Sequence, residues 1–360
     1  MKKSLLALAV LGAFAGAASA QSSVTVYGIM DLGVRSTDNG NPLGRTNGIE
    51  SGNQSASRIG FKGVEDLGGG MAATFQLEAQ IAADVGGTSN TAIGSQNQTF
   101  NRLATVGLQG AFGKVDLGRQ TSVIQDAYNA IDPFGDGGIA GITGFFFNGN
   151  QLSGDAGRIS NSAKYVTPSF GGFTARAAYS FGESAGDTGA NSSYGLGAAF
   201  VNGPLNVQFG YHNRDTSAQT LTTTPFVQTG EGKFTFVGAT YNFGAFKLHG
   251  AYADSKVQTG TIALPLSAST KYRNAMVGVS VPVGPGTIMG TYAINDNRSA
   301  ADSDAQRISL MYSYDLSKRT NLYTGYVRTS NDNGSRISLA PAAPLGESAS
   351  VFTVGVRHKF

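Results

Sequence analysis

Ser23-Val24-Thr25-Val26-Tyr27-Gly28-Ile29-Met30-Asp31-Leu32-Gly33-Val34-Arg35 sets Val24, Val26, Met30, Leu32 and Val34 against Thr25, Tyr27, Asp31 and Arg35. Period two with one apolar and one polar face describes a half-buried strand, and helical spacing hardly appears. The pattern recurs in Ala73, Phe75, Leu77, Ala79 and Ile81 against Thr74, Gln76, Glu78 and Gln80. It returns in Leu205, Val207, Phe209 and Tyr211 against Asn206, Gln208, His212 and Arg214, and in Phe352, Val354, Val356 and Phe360 against Thr353, Arg357 and Lys359. Such runs reach the roughly 9–11 residues that a tilted strand needs to cross a bilayer.

Tight turns punctuate the runs at Asp66–Gly70, Ala111–Gly113, Ser169–Gly172, Val201–Pro204, Asn242–Gly244, Pro282–Gly286 and Asp315–Lys318. Longer Asn-, Ser-, Thr-, Asp- and Gly-rich segments alternate with them, such as Thr37–Gln54, Thr216–Gly230 and Ser330–Ser348. Seven turns and eight loops give sixteen strands. The expected fold is all-β, a transmembrane antiparallel 16-stranded barrel over residues 21–360, whose ends meet so that no sheet edge is left in lipid. The longest turn-to-turn interval, Ala111 to Ser169, holds a segment of about 121–157 with Asp126, Asp132, Asp136 and Asp155, and no Lys or Arg between Arg119 and Arg158. Its Gly144-Phe145-Phe146-Phe147 patch can pack on a wall, so this third loop is expected to fold inward and narrow the lumen.

Composition removes other classes. The chain has 360 residues, no Cys and three His, and 14% of it is charged. Disulfides, thiolate metal sites and a Cys nucleophile are excluded. Lys2 and Lys3, the apolar run Leu5–Ala18 and Ala18-Ser19-Ala20 read as a signal peptide over residues 1–20, which sends the protein out of the cytoplasm. Without it 24 basic residues face 23 acidic ones, which argues against nucleic-acid binding by bulk charge. His212 and His249 share the lumen phase and His358 the Phe360 face; none stands in a recognisable catalytic motif, and no enzyme activity or cofactor is expected. Gly195-Leu196-Gly197 lacks the third glycine of a dinucleotide fingerprint, and Asp332-Asn333-Gly334 lacks the other ligands of a calcium loop.

An Arg or Lys facing lipid near midplane costs about 2–4 kcal/mol, so strand charges should point to water. By that rule Arg35, Lys62, Arg176, Arg214, Lys247, Arg307, Arg357 and Lys359 join Arg58 in lining the lumen or its mouths, with Asp31 and Glu78 as the acids. This basic excess predicts an anion preference. Tyr194, Tyr211, Tyr241, Tyr252, Tyr292, Tyr312, Tyr314, Phe352 and Phe360 lie near strand ends, where an interfacial girdle belongs. Gly28, Gly33, Ala72 and Ala73 are small enough to suit a subunit interface.

The sequence resembles the general diffusion porins of Gram-negative outer membranes, most like the betaproteobacterial kind. The resemblance rests on Ser23–Gly28, Ser57–Gly63 with Glu65–Gly68, Asn101–Ala104, Asp116–Gln120, Asp132–Asp136 and the terminal Arg357-His358-Lys359-Phe360. It implies a homotrimer of sixteen-stranded barrels in outer-membrane lipid and lipopolysaccharide, each passing small hydrophilic solutes through an electrostatic constriction. Phe360 resembles the signal read by the barrel assembly machinery. The basic side of the constriction maps by position to Arg58, Arg102 and Arg158, and the loop acids to Asp132 and Asp136; Phe134 stands where the family often has a Glu. Alternation groups Arg102 with Ala104, Val106 and Leu108, so its lumen placement comes from the resemblance alone. A solute-selective anion channel and a structural or adhesin barrel are the alternative readings.

Overall fold

A computed structural model describes residues 23–88, 98–135, 138–146, 157–219, 225–299, 303–332, 334–337 and 344–360. The signal peptide, Asp136, Phe147 and Asp155 lie outside them. Eighteen strand segments are found among the described residues: β1 (Ser23–Asp38), β2 (Thr46–Ser51), β3 (Arg58–Gly68), β4 (Met71–Ala82), β5 (Gly87–Thr88), β6 (Leu103–Gly110), β7 (Gly113–Thr121), β8 (Arg158–Val166) and β9 (Phe173–Ser180). The second half comprises β10 (Ser193–Asn202), β11 (Leu205–Ala218), β12 (Val227–Asn242), β13 (Lys247–Thr259), β14 (Ala268–Val283), β15 (Gly286–Asn297), β16 (Ala305–Asp315), β17 (Thr320–Asn331) and β18 (Ala349–Lys359).

All neighbours pair antiparallel, and β1 closes the cylinder by pairing β18 along Ile29–Asp38 and β3 along Ser23–Ile29. The amides and carbonyls of Gly28 and Phe360 exchange hydrogen bonds of 3.0 and 3.1 Å, sealing the joint at one rim. Sixteen positions make the wall. Segments β2 and β3 succeed one another along β1 as one interrupted strand, and β5 only extends β4 into a loop. Part of Thr37–Gln54, expected as loop, is therefore the strand β2.

The pleat sends Val24, Val26, Val34, Val106, Val277, Ile308 and Phe352 outward, all exposed, as a lipid-facing band requires. Tyr194, Tyr241, Tyr252, Tyr292, Tyr314 and Phe360 are exposed on the same outer surface. Lys233, Asp254 and Arg273 also carry outward phase, and Arg273 stands 3.8 Å from Asp254. They sit in the loop-side halves of β12–β14, strands of 13 to 16 residues that exceed what a crossing needs. Gly33 and Ala72 fall on the inner phase opposite Gly355 and Asp66, so of the four small residues only Gly28 and Ala73 face out.

The third loop, L3, enters the cylinder. Its helix α1 (Val123–Ile131) starts at Ser122, whose Oγ accepts from Gln125 N at 3.2 Å, and carries Asp126 in its first turn. It stops at Asp132, because the residue before Pro133 is steered out of the helical region. Ile124, Ala127, Tyr128 and Ile131 recur at helical spacing and are fully buried. With Ile142 and with Phe145 and Phe146 of the short helix α2 (Thr143–Phe146), they pack on Phe234, Phe236, Ala251, Ala253, Met276, Ala293 and Ala305 of β12–β16. Burial of each large side chain is worth about 1.5–3 kcal/mol. Gly210 makes room on β11: a Cβ there would come within 3.0 Å of Ile124 Cα. His249 Nδ1 and Asn206 Nδ2 donate to the last helical carbonyls, Ile131 O at 2.6 Å and Ala130 O at 3.1 Å.

Candidate functional site: a basic cavity beside the inward loop

Opposite the L3-covered wall, the inner faces of β1, β3 and β4 bring Tyr27, Gly60 and Glu78 into one row, each directly across from the next. A side chain at Gly60 would collide with the Tyr27 ring, so glycine lets the phenol reach over β3. Tyr27 donates to Glu78 Oε2 at 2.9 Å and accepts from Gln76 at 2.7 Å. Arg102 Nε donates to Glu78 Oε1 at 2.6 Å, and Arg58 Nε lies 4.0 Å from Oε2.

Arg102 reaches the lumen although its strand's alternation points it outward, because β6 begins one residue later, at Leu103. Its amide donates to Glu78 O at 3.1 Å, and its side chain turns back along the same residue's carboxylate. Arg158, at the first position of β8, joins Tyr27, Arg58, Glu78 and Arg102 around one cavity of about 450 Å³. Among the described residues that line it, three guanidiniums and Lys359 stand with one carboxylate, Glu78. An anion in that space meets a net positive surround, in a lumen whose walls screen less than bulk water.

The loop acids lie elsewhere. Asp126 is paired with Lys164 Nζ at 3.0 Å and accepts from Thr121 Oγ1 at 2.6 Å. Asp132, expected opposite the arginines, turns its carboxylate into the loop, where it accepts from Phe134 N at 3.0 Å and Ile142 N at 2.7 Å. A short carboxylate beside a chain reversal bonds its own backbone in this way. Burial pushes Asp132 up to about 7, against those two donors and the Arg307 charge. Asp136 lies outside the described residues.

The remaining expected lumen residues share the inner phase but differ in surroundings. Arg35 pairs with Glu50 at 3.0 Å, Lys62 stands 5.2 Å over the Tyr27 ring, and Arg176 donates to Gln208 at 3.1 Å. Arg214 is half-buried on β11 in phase with His212, and Lys247 is exposed where β13 begins. Arg357 donates to Ser55 Oγ at 2.7 Å and Asn321 Oδ1 at 3.0 Å. Arg307 departs from its expected place on an open lumen surface. It is buried beneath L3, 4.7 Å from the Phe145 ring centre, with Nε donating to Thr329 Oγ1 at 3.0 Å. Asp31 is buried too, held by the segment between β2 and β3. Sequence reading missed Tyr27 as a partner of Glu78, Lys164 as the anchor of Asp126, and Arg119, which donates to Asn101 O at 2.7 Å and Ser160 Oγ at 2.7 Å. Inner phase flagged Tyr27, but no period reveals which wall side chain an inserted loop will meet.

The chain matches the Gram-negative porin family model over residues 7–334. It is 37% identical to outer membrane porin protein 32 of Delftia acidovorans and 33% identical to an outer membrane porin of Bordetella pertussis, with both chains fully covered in each case. Among solved structures, the anion-selective porin from Comamonas acidovorans aligns with a TM-score of 0.81 at 32% identity, over 94% of this chain and 100% of that one. OmpT of Vibrio cholerae aligns at 0.70 over 94% and 99%, and at 18% identity it shares the fold alone. A closed sixteen-strand wall, a loop folded into its lumen and similarity along the whole chain lead to one conclusion: this protein belongs to the Gram-negative porin family, of the betaproteobacterial type, and resides in the outer membrane.

Proposed function

We propose that the protein is a passive aqueous channel for small hydrophilic solutes and ions, preferring anions, and driven only by the solute gradient. The observation that carries this reading is the shared cavity of Arg58, Arg102 and Arg158, with Glu78 as its facing carboxylate and the described L3 acids engaged elsewhere. Lining charge of one sign at a narrow place raises the local concentration of counter-ions without holding them tightly. The similar Comamonas acidovorans protein is described as anion-selective, which agrees in sign. Arg35, Lys62, Arg176, Arg214, Lys247 and Arg357 extend the positive surface toward the two mouths, and Asp31 and Arg307 act as supports for the inward segments. The working unit is a homotrimer in outer-membrane lipid and lipopolysaccharide, delivered there by assembly machinery that reads Phe360.

Liposome swelling tests the channel itself: purified protein is expected to admit small sugars and amino acids at rates that fall with solute size. Vesicles that stay impermeable to all of them would make it a structural or adhesin barrel. Saturable block by a particular anion at low concentration would instead mark a solute-selective channel.

A further inference from the structure

Between Leu32↔Ser51 and Ile29↔Arg58 the strand β1 spans two residues, Met30 and Asp31, whereas its partner spans six, Gly52 to Ser57. The surplus folds inward as a tongue whose residues Asn53 to Ser57 are all buried. Asp31 is its hub. One carboxylate oxygen accepts from Gln54 N at 2.8 Å and Ser55 N at 2.5 Å, and the other from Tyr323 Oη at 2.5 Å. The Asp31 carbonyl accepts from Gly52 N at 2.9 Å and Ser57 Oγ at 3.1 Å, and its amide donates to that hydroxyl at 3.0 Å. The far side of the tongue rests on β17 and β18, where Asn321 donates to Gln54 Oε1 at 2.8 Å and Arg357 to Ser55 Oγ.

The tongue also holds L3. Ile139 N donates to Asn53 O at 2.9 Å, and Gly138 lies against the Gln54 carbonyl. Phe134, Ile139 and Ala140 of the same stretch pack on Met311, Val327 and Val351 of β16–β18. α1 and α2 hold the loop by apolar packing, and the tongue holds the stretch between them by a backbone bond.

We propose that residues 52–57 form a second inward element of the pore, locked by Asp31, and that this lock positions the stretch of L3 between α1 and α2 and thereby sets the bore. The inference rests on the pore reading above, and it makes Asp31 a positioning residue instead of a lumen charge. The Asp31 carboxylate accepts from two backbone amides and a phenol at once, whereas an amide in its place keeps one acceptor oxygen and forces the phenol to reverse its bond, losing the charge-assisted contact.

The test uses Asp31→Asn and, as a charge-conserving second variant, Tyr323→Phe, each with and without Ser55→Cys in a chain that has no cysteine of its own. In Asp31→Asn, labelling of the introduced thiol by a water-soluble reagent is expected to speed up about tenfold as the tongue opens. Single-channel conductance should rise by about a fifth to a half, with larger sugars admitted in swelling assays. Tyr323→Phe should shift labelling and conductance the same way by a smaller factor. A folded Asp31→Asn barrel with unchanged labelling and size limit overturns the lock, as does one in which only the reversal potential moves. If Asp31→Asn does not fold, Tyr323→Phe decides alone, and wild-type labelling in it refutes the proposal. Failure of the channel reading would show separately, as unmodified protein that passes no solute while the labelling comparison still reports on the tongue.

Discussion

On β1–β8 the inner face carries Arg58, Glu78 and, at its rim, Arg102 and Arg158 around an open cavity; on β12–β16 it carries Phe234, Phe236, Ala253, Met276, Ala293 and Ala305 under a lid of L3. Both are lumen faces of one pleated wall, and only the first is left to water. An apolar inner face is tolerable in an aqueous pore when something covers it, and the cover then occupies part of the bore. The apolar half therefore sets how much lumen remains, and the polar half sets which solutes prefer it.

The largest effect should come from stripping the apolar half. Phe146 is fully buried with its ring 6.1 Å from that of Tyr128, and Phe146→Ala is expected to weaken loop docking by about 3–5 kcal/mol. Protease sensitivity within L3, with higher and noisier single-channel conductance, would register it; an unchanged conductance would mean that this packing does not hold the loop. Gly210→Val comes next, at about 1–3 kcal/mol, because the new side chain meets Ile124 and overpacks the helix seat. Its thermal melt and noise should shift the same way as in Phe146→Ala, while selectivity keeps its sign.

Changes on the polar half should act on selectivity more than on bore. Arg102→Ala leaves Glu78 with Tyr27 and the more distant Arg58, at a cost of about 1–3 kcal/mol in barrel stability. It should also reduce anion preference in reversal-potential measurements, and an increase would contradict the charge balance drawn for the cavity. The smallest change is in the wild type: anion preference should fall as salt rises from 0.1 to 1 M, where the Debye length shrinks from about 10 to about 3 Å.

Much of the polar half was legible from residue order. Alternation identified the strands, glycine-bearing turns separated them, and the excess between Ala111 and Ser169 marked the inserted loop. The apolar half was harder, because period two separates two faces without saying which is wet. On β12 the inner Phe234 and Phe236 oppose the outer Val237 and Tyr241, so neither face declares itself. The tongue escaped for another reason: Gly52-Asn53-Gln54-Ser55-Ala56-Ser57 is small and polar with no period, and it reads as loop. Asp132 counted as a lumen acid because the resemblance to porins maps a loop acid to its position; only the fold shows that its carboxylate is turned onto its own backbone.

The division of labour between the halves meets its most direct test in the reversal potential of a planar bilayer under a tenfold KCl gradient, for wild type and Arg58→Glu. The account predicts chloride-favouring potential in the wild type and a clear move toward potassium in the variant. A potassium-favouring wild type, or a variant that behaves like it, would contradict the assignment of selectivity to the open basic wall.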